Sequence, residues 1–68
     1  MRAYLSSFTG AEEVCAEGDT ETQARRRVVR AWVARYGKQR KPFMLWIELG
    51  TRTILDHERW AEIIKSEL

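Results

Sequence analysis

Apolar and polar positions alternate with different periods along this chain, and each change of period marks a new element. Arg2 to Thr9, RAYLSSFT, sets Tyr4 and Phe8 on one side and Ala3 and Leu5 on the other, the two-residue period of a strand. Thr9-Gly10-Ala11 supplies a turn, and Glu13 to Glu17, EVCAE, alternates again with Val14 and Ala16 on one face. These two pieces predict an antiparallel hairpin.

From Thr20 to Tyr36, TETQARRRVVRAWVARY, the period lengthens to that of a helix. At 100° per residue Val28, Val29, Trp32, Val33 and Tyr36 share one arc, with Ala24 and Ala31 at its margin, so this arc is expected to face the core. Asp19 and Thr20 offer N-cap chemistry, and Thr20 with Gln23 three residues on forms a capping box. Gly37 ends the helix and Pro42 prevents its resumption. After the basic loop GKQRKP comes Phe43 to Leu49, FMLWIEL, apolar at six of seven positions. Phe43, Leu45, Ile47 and Leu49 form one row and Met44, Trp46 and Glu48 the other, so packing the first row under the helix turns Met44 and Trp46 away from it. Gly50-Thr51 predicts a type II′ turn, Arg52 to Leu55 a returning strand, and Asp56 the cap of a last helix whose Trp60, Ile63, Ile64 and Leu68 share a face with Ala61 beside them.

The order is therefore β-β-α-β-β-α: a single α+β domain over residues 1–68, with a mainly antiparallel four-stranded sheet and the long helix on one face. At 68 residues there is room for one small core, and 44% hydrophobic content with three tryptophans argues for a folded globule.

Net charge changes the picture little, because twelve basic against ten acidic residues leave only +2. Its distribution says more. Every ionised residue from 25 to 41 is Lys or Arg, and every one from 11 to 21 is Asp or Glu, a dipolar arrangement able to steer a charged partner. On the helix, Arg26, Arg27 and Arg30 lie away from the apolar arc, with Gln23 and Ala34, while Arg25 and Arg35 project from the arc itself with their heads outward. The arginine face reads either as a solvated surface neutralised by the upstream acids or as an anion-binding face, since guanidinium geometry suits carboxylate and phosphate.

Candidate catalytic chemistry is sparse. Cys15 is alone, which rules out an intrachain disulfide and points to a reducing compartment; its sequence neighbours are acidic, so it reads as a small packing residue. His57, between Asp56 and Glu58, reads as a surface residue because no further metal ligands stand at recognisable spacing. No phosphate-binding glycine loop or nucleophile motif occurs, and the expectation is a non-enzyme without cofactor or metal. No apolar run approaches the roughly 20 residues of a membrane span, and no apolar leader follows Met1-Arg2-Ala3-Tyr4, so a cytoplasmic protein without membrane contact is expected. Tyr4, Phe8 and Trp46 on strands have the chemistry to stack bases, as sheet-based single-strand binders do; Tyr4 and Phe8 are expected in the core, and Trp46 stays open.

Residues 2 to 30, with RAYLSSF and EEVCAEGDTETQARRR, resemble small phage and prophage proteins in which a strand, a turn, a strand ending in Val-x-Ala-Glu and a helix beginning near Gln-Ala-Arg follow one another. Compact anti-CRISPR and other host-takeover proteins share that ββα start. The resemblance implies a mobile-element origin and inhibition by stoichiometric binding of a host protein, such as a CRISPR effector, and it transfers no active residue. GTRTILDHERWAEII, residues 50 to 64, is similar to the closing wing and helix of excisionase-like DNA-binding proteins, which however place a helix-turn-helix where Arg2 to Glu17 reads as strands.

The leading expectation is a monomeric or weakly dimeric protein that occupies a host protein or protein–nucleic acid complex. Its expected contacts are Arg26, Arg27 and Arg30, the loop residues Lys38, Arg40 and Lys41, and Trp46 as an aromatic anchor. The alternatives are a direct DNA or RNA binder using the same basic residues on phosphate, and a self-associating module joined through Met44 and Trp46.

Overall fold

The computed structural model describes all residues from Met1 to Leu68. The chain runs β1 (Arg2–Ser6), β2 (Glu13–Glu17), α1 (Glu21–Tyr36), β3 (Met44–Ile47), β4 (Arg52–Ile54) and α2 (His57–Glu67), the order and fold class expected. All pairings are antiparallel and the sheet order is β2-β1-β3-β4, so β3 returns beside β1 and leaves β2 and β4 as edges.

The core is one cluster: Ala3 and Leu5 from β1, Ala24, Val28, Val29 and Trp32 from α1, Leu45 and Ile47 from β3, Leu55, and Trp60 and Ile63 from α2. Register explains the selection. Ala3 pairs with Ile47 and Leu5 with Leu45, so alternate residues of two adjacent strands fall on one face, and both helices cover that face. Ala24, at the margin of the buried arc of α1, is fully enclosed. Ala61 and Leu68 stay exposed, because α2 buries only Trp60 and Ile63 deeply and Ile64 in part.

Both helix starts are capped. Gln23 donates its backbone N–H to Thr20 Oγ1 (3.1 Å), and Gln23 Oε1 accepts from the N–H of Asp19 (2.7 Å), one residue earlier than a strict capping box requires. Asp56 Oδ1 accepts from the N–H of Arg59 (2.7 Å) at the start of α2. Gly37, at φ 89°, closes α1 with its N–H on Val33 (2.8 Å). The loop that follows is bolted by two buried tryptophans: Trp32 Nε1 donates to the Arg40 carbonyl (2.7 Å) and Trp60 Nε1 to the Lys38 carbonyl (2.9 Å).

The β3–β4 turn departs from the type II′ expectation. Gly50 N–H donates to the Ile47 carbonyl (2.9 Å), so the turn spans Ile47 to Gly50, and the positive φ falls on Leu49 (62°) and not on Gly50. The apolar run therefore leaves the sheet after Ile47, and Leu49 is fully exposed.

Gly18, buried between β2 and α1, admits no side chain: a Cβ there would stand 2.6 Å from the Ala24 nitrogen and 2.9 Å from the Gln23 carbonyl carbon, both backbone. Gly18→Ala is expected to lower stability by about 2–3 kcal/mol, an overpacking cost that the backbone cannot relieve. A urea titration followed by circular dichroism measures it, and an unchanged midpoint would contradict the close approach. Trp32→Phe, which removes the indole donor and leaves a void, is expected to lose about 2–4 kcal/mol in the same assay.

Candidate functional site

With both helices on one side, the opposite face of the sheet is left uncovered. Its residues stand in three rows across the strands. Glu17, Arg2 and Glu48 form the first; Cys15, Tyr4, Trp46 and Arg52 the second; Glu13, Ser6, Met44 and Ile54 the third. Apart from Ser6, all are half-buried or exposed. Met44 and Trp46 thus point away from α1, as the alternation predicts.

The middle row is a ladder. Tyr4 and Trp46 sit opposite each other on β1 and β3 and their rings stack at 4.7 Å, 24° apart. From β4, Arg52 lays its guanidinium over Trp46 at 4.8 Å. Trp46 therefore stands in its row between a stacked ring on one side and a guanidinium on the other. Arg2 belongs to the same surface: the Tyr4 side chain, then the carboxylates of Glu17 and Glu48, raise its pKa above the ordinary arginine value, so its charge is permanent.

Three sequence-based assignments are corrected here. Tyr4 is not a core residue but a member of this ladder. Phe8 is 79% exposed, in the turn after β1, with one edge-to-face contact to Phe43 at 4.9 Å. Cys15 is no packing residue; it is exposed on the outer face of β2. For Tyr4 the cause is that alternation identifies which residues share a face but not which face the helices choose, whereas Phe8 lies beyond the end of β1.

The basic residues disperse. Arg26 turns toward α2 and meets Glu67 at 3.6 Å, with its own side chain 53% exposed. An ion pair so open contributes at most about 1 kcal/mol and leaves the guanidinium accessible. Arg27 turns the other way and donates to the Glu17 carbonyl at 2.9 Å. Arg30, on the crest, makes no hydrogen bond or ion pair with the chain. In the loop Lys38 is exposed, Arg40 is paired with Glu12, and Lys41 is half-buried, donating to the carbonyls of Leu55 (2.8 Å) and Pro42 (3.2 Å). Lys41 thus helps to hold the loop, while the Arg40 guanidinium stays largely exposed beside Glu12.

His57 is exposed at the start of α2, and no group of three or more His, Cys, Asp or Glu side chains is placed to hold a metal ion. No helix is long and apolar enough to cross a membrane. Comparison with known proteins finds no matching family model, no matching curated protein and no matching solved structure.

The Trp46–Arg52 contact has a measurable strength. A double-mutant cycle with Trp46→Ala and Arg52→Ala is expected to give a coupling of about 0.5–1 kcal/mol in chemical denaturation. Additive single effects would mean that the guanidinium does not rest on the ring in solution.

Proposed function

We propose that this chain is a small phage- or mobile-element-encoded binding protein that acts stoichiometrically, by occupying a host protein through the open sheet face. The observation that carries this reading is the ladder: Trp46 is held upright between Tyr4 and Arg52 on a face that no other part of the chain covers. Trp, Tyr and Arg are the side chains that dominate interface hot spots, and here they are already ordered, so association immobilises few rotamers. Met44 and Ile54, the latter 59% exposed, add apolar area beside them.

The mobile-element origin rests on the resemblance of residues 2 to 30 to small ββα phage proteins, which also implies nucleic-acid-handling machinery, such as a CRISPR effector, as the class of target. Arg26, Arg30 and Lys38 supply steering charge at the surface, raising the rate of encounter with an acidic partner.

The alternative reading, direct binding of DNA or RNA, draws support from Arg30 and Lys38, which are exposed and paired with no carboxylate. Occupation of both faces of Trp46 weighs against the base-stacking form of that reading, because a base needs a free ring face. What remains is phosphate contact, with its steep salt dependence.

The test is affinity capture from host lysate with the wild-type chain, Trp46→Ala, and Arg26→Glu/Arg30→Glu, followed by mass spectrometry and size-exclusion of the complex. One protein is expected to co-elute at a fixed ratio with wild type, to be lost with Trp46→Ala, and to be held more weakly with the charge reversal. Equal capture by Trp46→Ala would remove the sheet face from the proposal. A mobility shift of labelled oligonucleotide at roughly 0.15 M salt, with no protein captured, would transfer the function to nucleic acid.

A further inference from the structure

A second surface, separate from the open face, lies along the β2 edge. In the β1–β2 ladder Met1 and Gly18 exchange hydrogen bonds in both directions (3.0 and 2.9 Å), and Ser7 N–H donates to the Glu12 carbonyl (2.8 Å). With the register Ala3 to Ala16 and Leu5 to Val14 between them, the bonded positions on β2 are the even-numbered ones. The backbone groups of Glu13, Cys15 and Glu17 therefore face outward, where the sheet has no further strand. Arg27 occupies the Glu17 carbonyl, which closes one end of the edge. The stretch from Glu13 to Cys15 stays open, without proline, lysine or a bulge to blunt it.

Beside this stretch runs a cleft of about 490 Å³, walled by Glu13, Val14 and Cys15 on the strand and Ala31, Ala34 and Arg35 on α1. The two alanines leave room for a side chain that this chain does not supply. Charge then selects the occupant. The helix wall carries Arg35, with Arg27 at the Glu17 end, whereas the outer side of β2 carries Glu13 and Glu17. A second copy is disfavoured, since antiparallel pairing centred on Cys15 would set Glu13 of each copy opposite Glu17 of the other.

We propose that β2 and α1 form a strand-addition groove for an extended segment of another protein. On its helix side that segment carries an apolar residue opposite Val14 flanked by acidic ones, and on its outer side basic residues opposite Glu13 and Cys15, the second of them diagonal to both Glu13 and Glu17. Main-chain bonds to Glu13 and Cys15 supply affinity, and the alanine slot with the arginine wall supplies selectivity.

The probe is an end-blocked pentapeptide alternating aspartate, lysine, valine, lysine and aspartate, titrated into the isotope-labelled full chain and followed by amide chemical shifts. Its face-reversed counterpart exchanges aspartate and lysine. Saturable shifts are expected at Glu13, Cys15, Ala31 and Ala34, with the reversed peptide weaker by about tenfold. Cys15→Pro removes an outward N–H without touching the bonds to β1, and Ala34→Glu, on an exposed helix position, fills the slot with the wrong charge; each is expected to abolish the shifts while the free spectrum stays folded. Trp46→Ala is expected to bind the peptide as wild type does, which keeps this surface distinct from the open face. Absence of saturable shifts, equal binding of both peptides, shifts centred on Tyr4 and Trp46, or a response that tracks self-association would each overturn the assignment.

Discussion

Two buried indole N–H groups, on Trp32 and Trp60, end on carbonyls of the same short loop, and much of the architecture follows from that pair of bonds. A large aromatic ring contributes to the core only if its one polar atom finds a partner; left unpaired, the N–H would cost about 1–3 kcal/mol and cancel much of the gain. Trp32 is fully buried beneath α1 and Trp60 nearly so on α2. By reaching the carbonyls of Arg40 and Lys38 they anchor the loop to both helices at once. Pro42, buried directly after it, then feeds β3 into place beside β1.

That arrangement also leaves one face of the sheet bare. The helices lie together, linked by the Arg26–Glu67 pair, on the side where Ala3, Leu5, Leu45 and Ile47 point. No element of this domain lies over the other side. The chain handles that exposure by ordering it: Tyr4, Trp46 and Arg52 hold one another in a ladder, and carboxylates alternate with Arg2 in the row beside it. Stacking hides the facing sides of the Tyr4 and Trp46 rings from water.

The charge asymmetry of the sequence takes a different form in three dimensions. A linear run of basic residues does not become one patch, because successive arginines on α1 point along different radii. Arg27 reaches β2, Arg26 reaches α2, Arg35 lies by the Tyr36 ring, and Arg30 stands clear. The loop bases are likewise drawn inward, Lys41 by two carbonyls and Arg40 by Glu12. What the acidic hairpin neutralises is thus the loop, not the helix.

Local sequence was enough for the element order, both N-caps, the helix end at Gly37 and the split of Met44 to Ile47 into an inward and an outward pair, since these rest on contacts within a few residues, whereas Leu49, expected inward, leaves the sheet. The sheet order, the side on which α2 docks and the fate of each charged side chain were not legible, because they depend on residues far apart in the chain. Tyr4 shows the limit: alternation put it opposite Ala3 and Leu5, yet only packing decided that the alanine and leucine side was the covered one, and Phe8, expected beside it, lies past the end of the strand. The turn at Leu49 shows it again, for a glycine at the next position drew the prediction while the hydrogen bond from Gly50 to Ile47 placed the left-handed residue one step earlier. Local patterns fix which side chains travel together; long-range contacts, such as the bonds of two tryptophans to one loop, settle where they go.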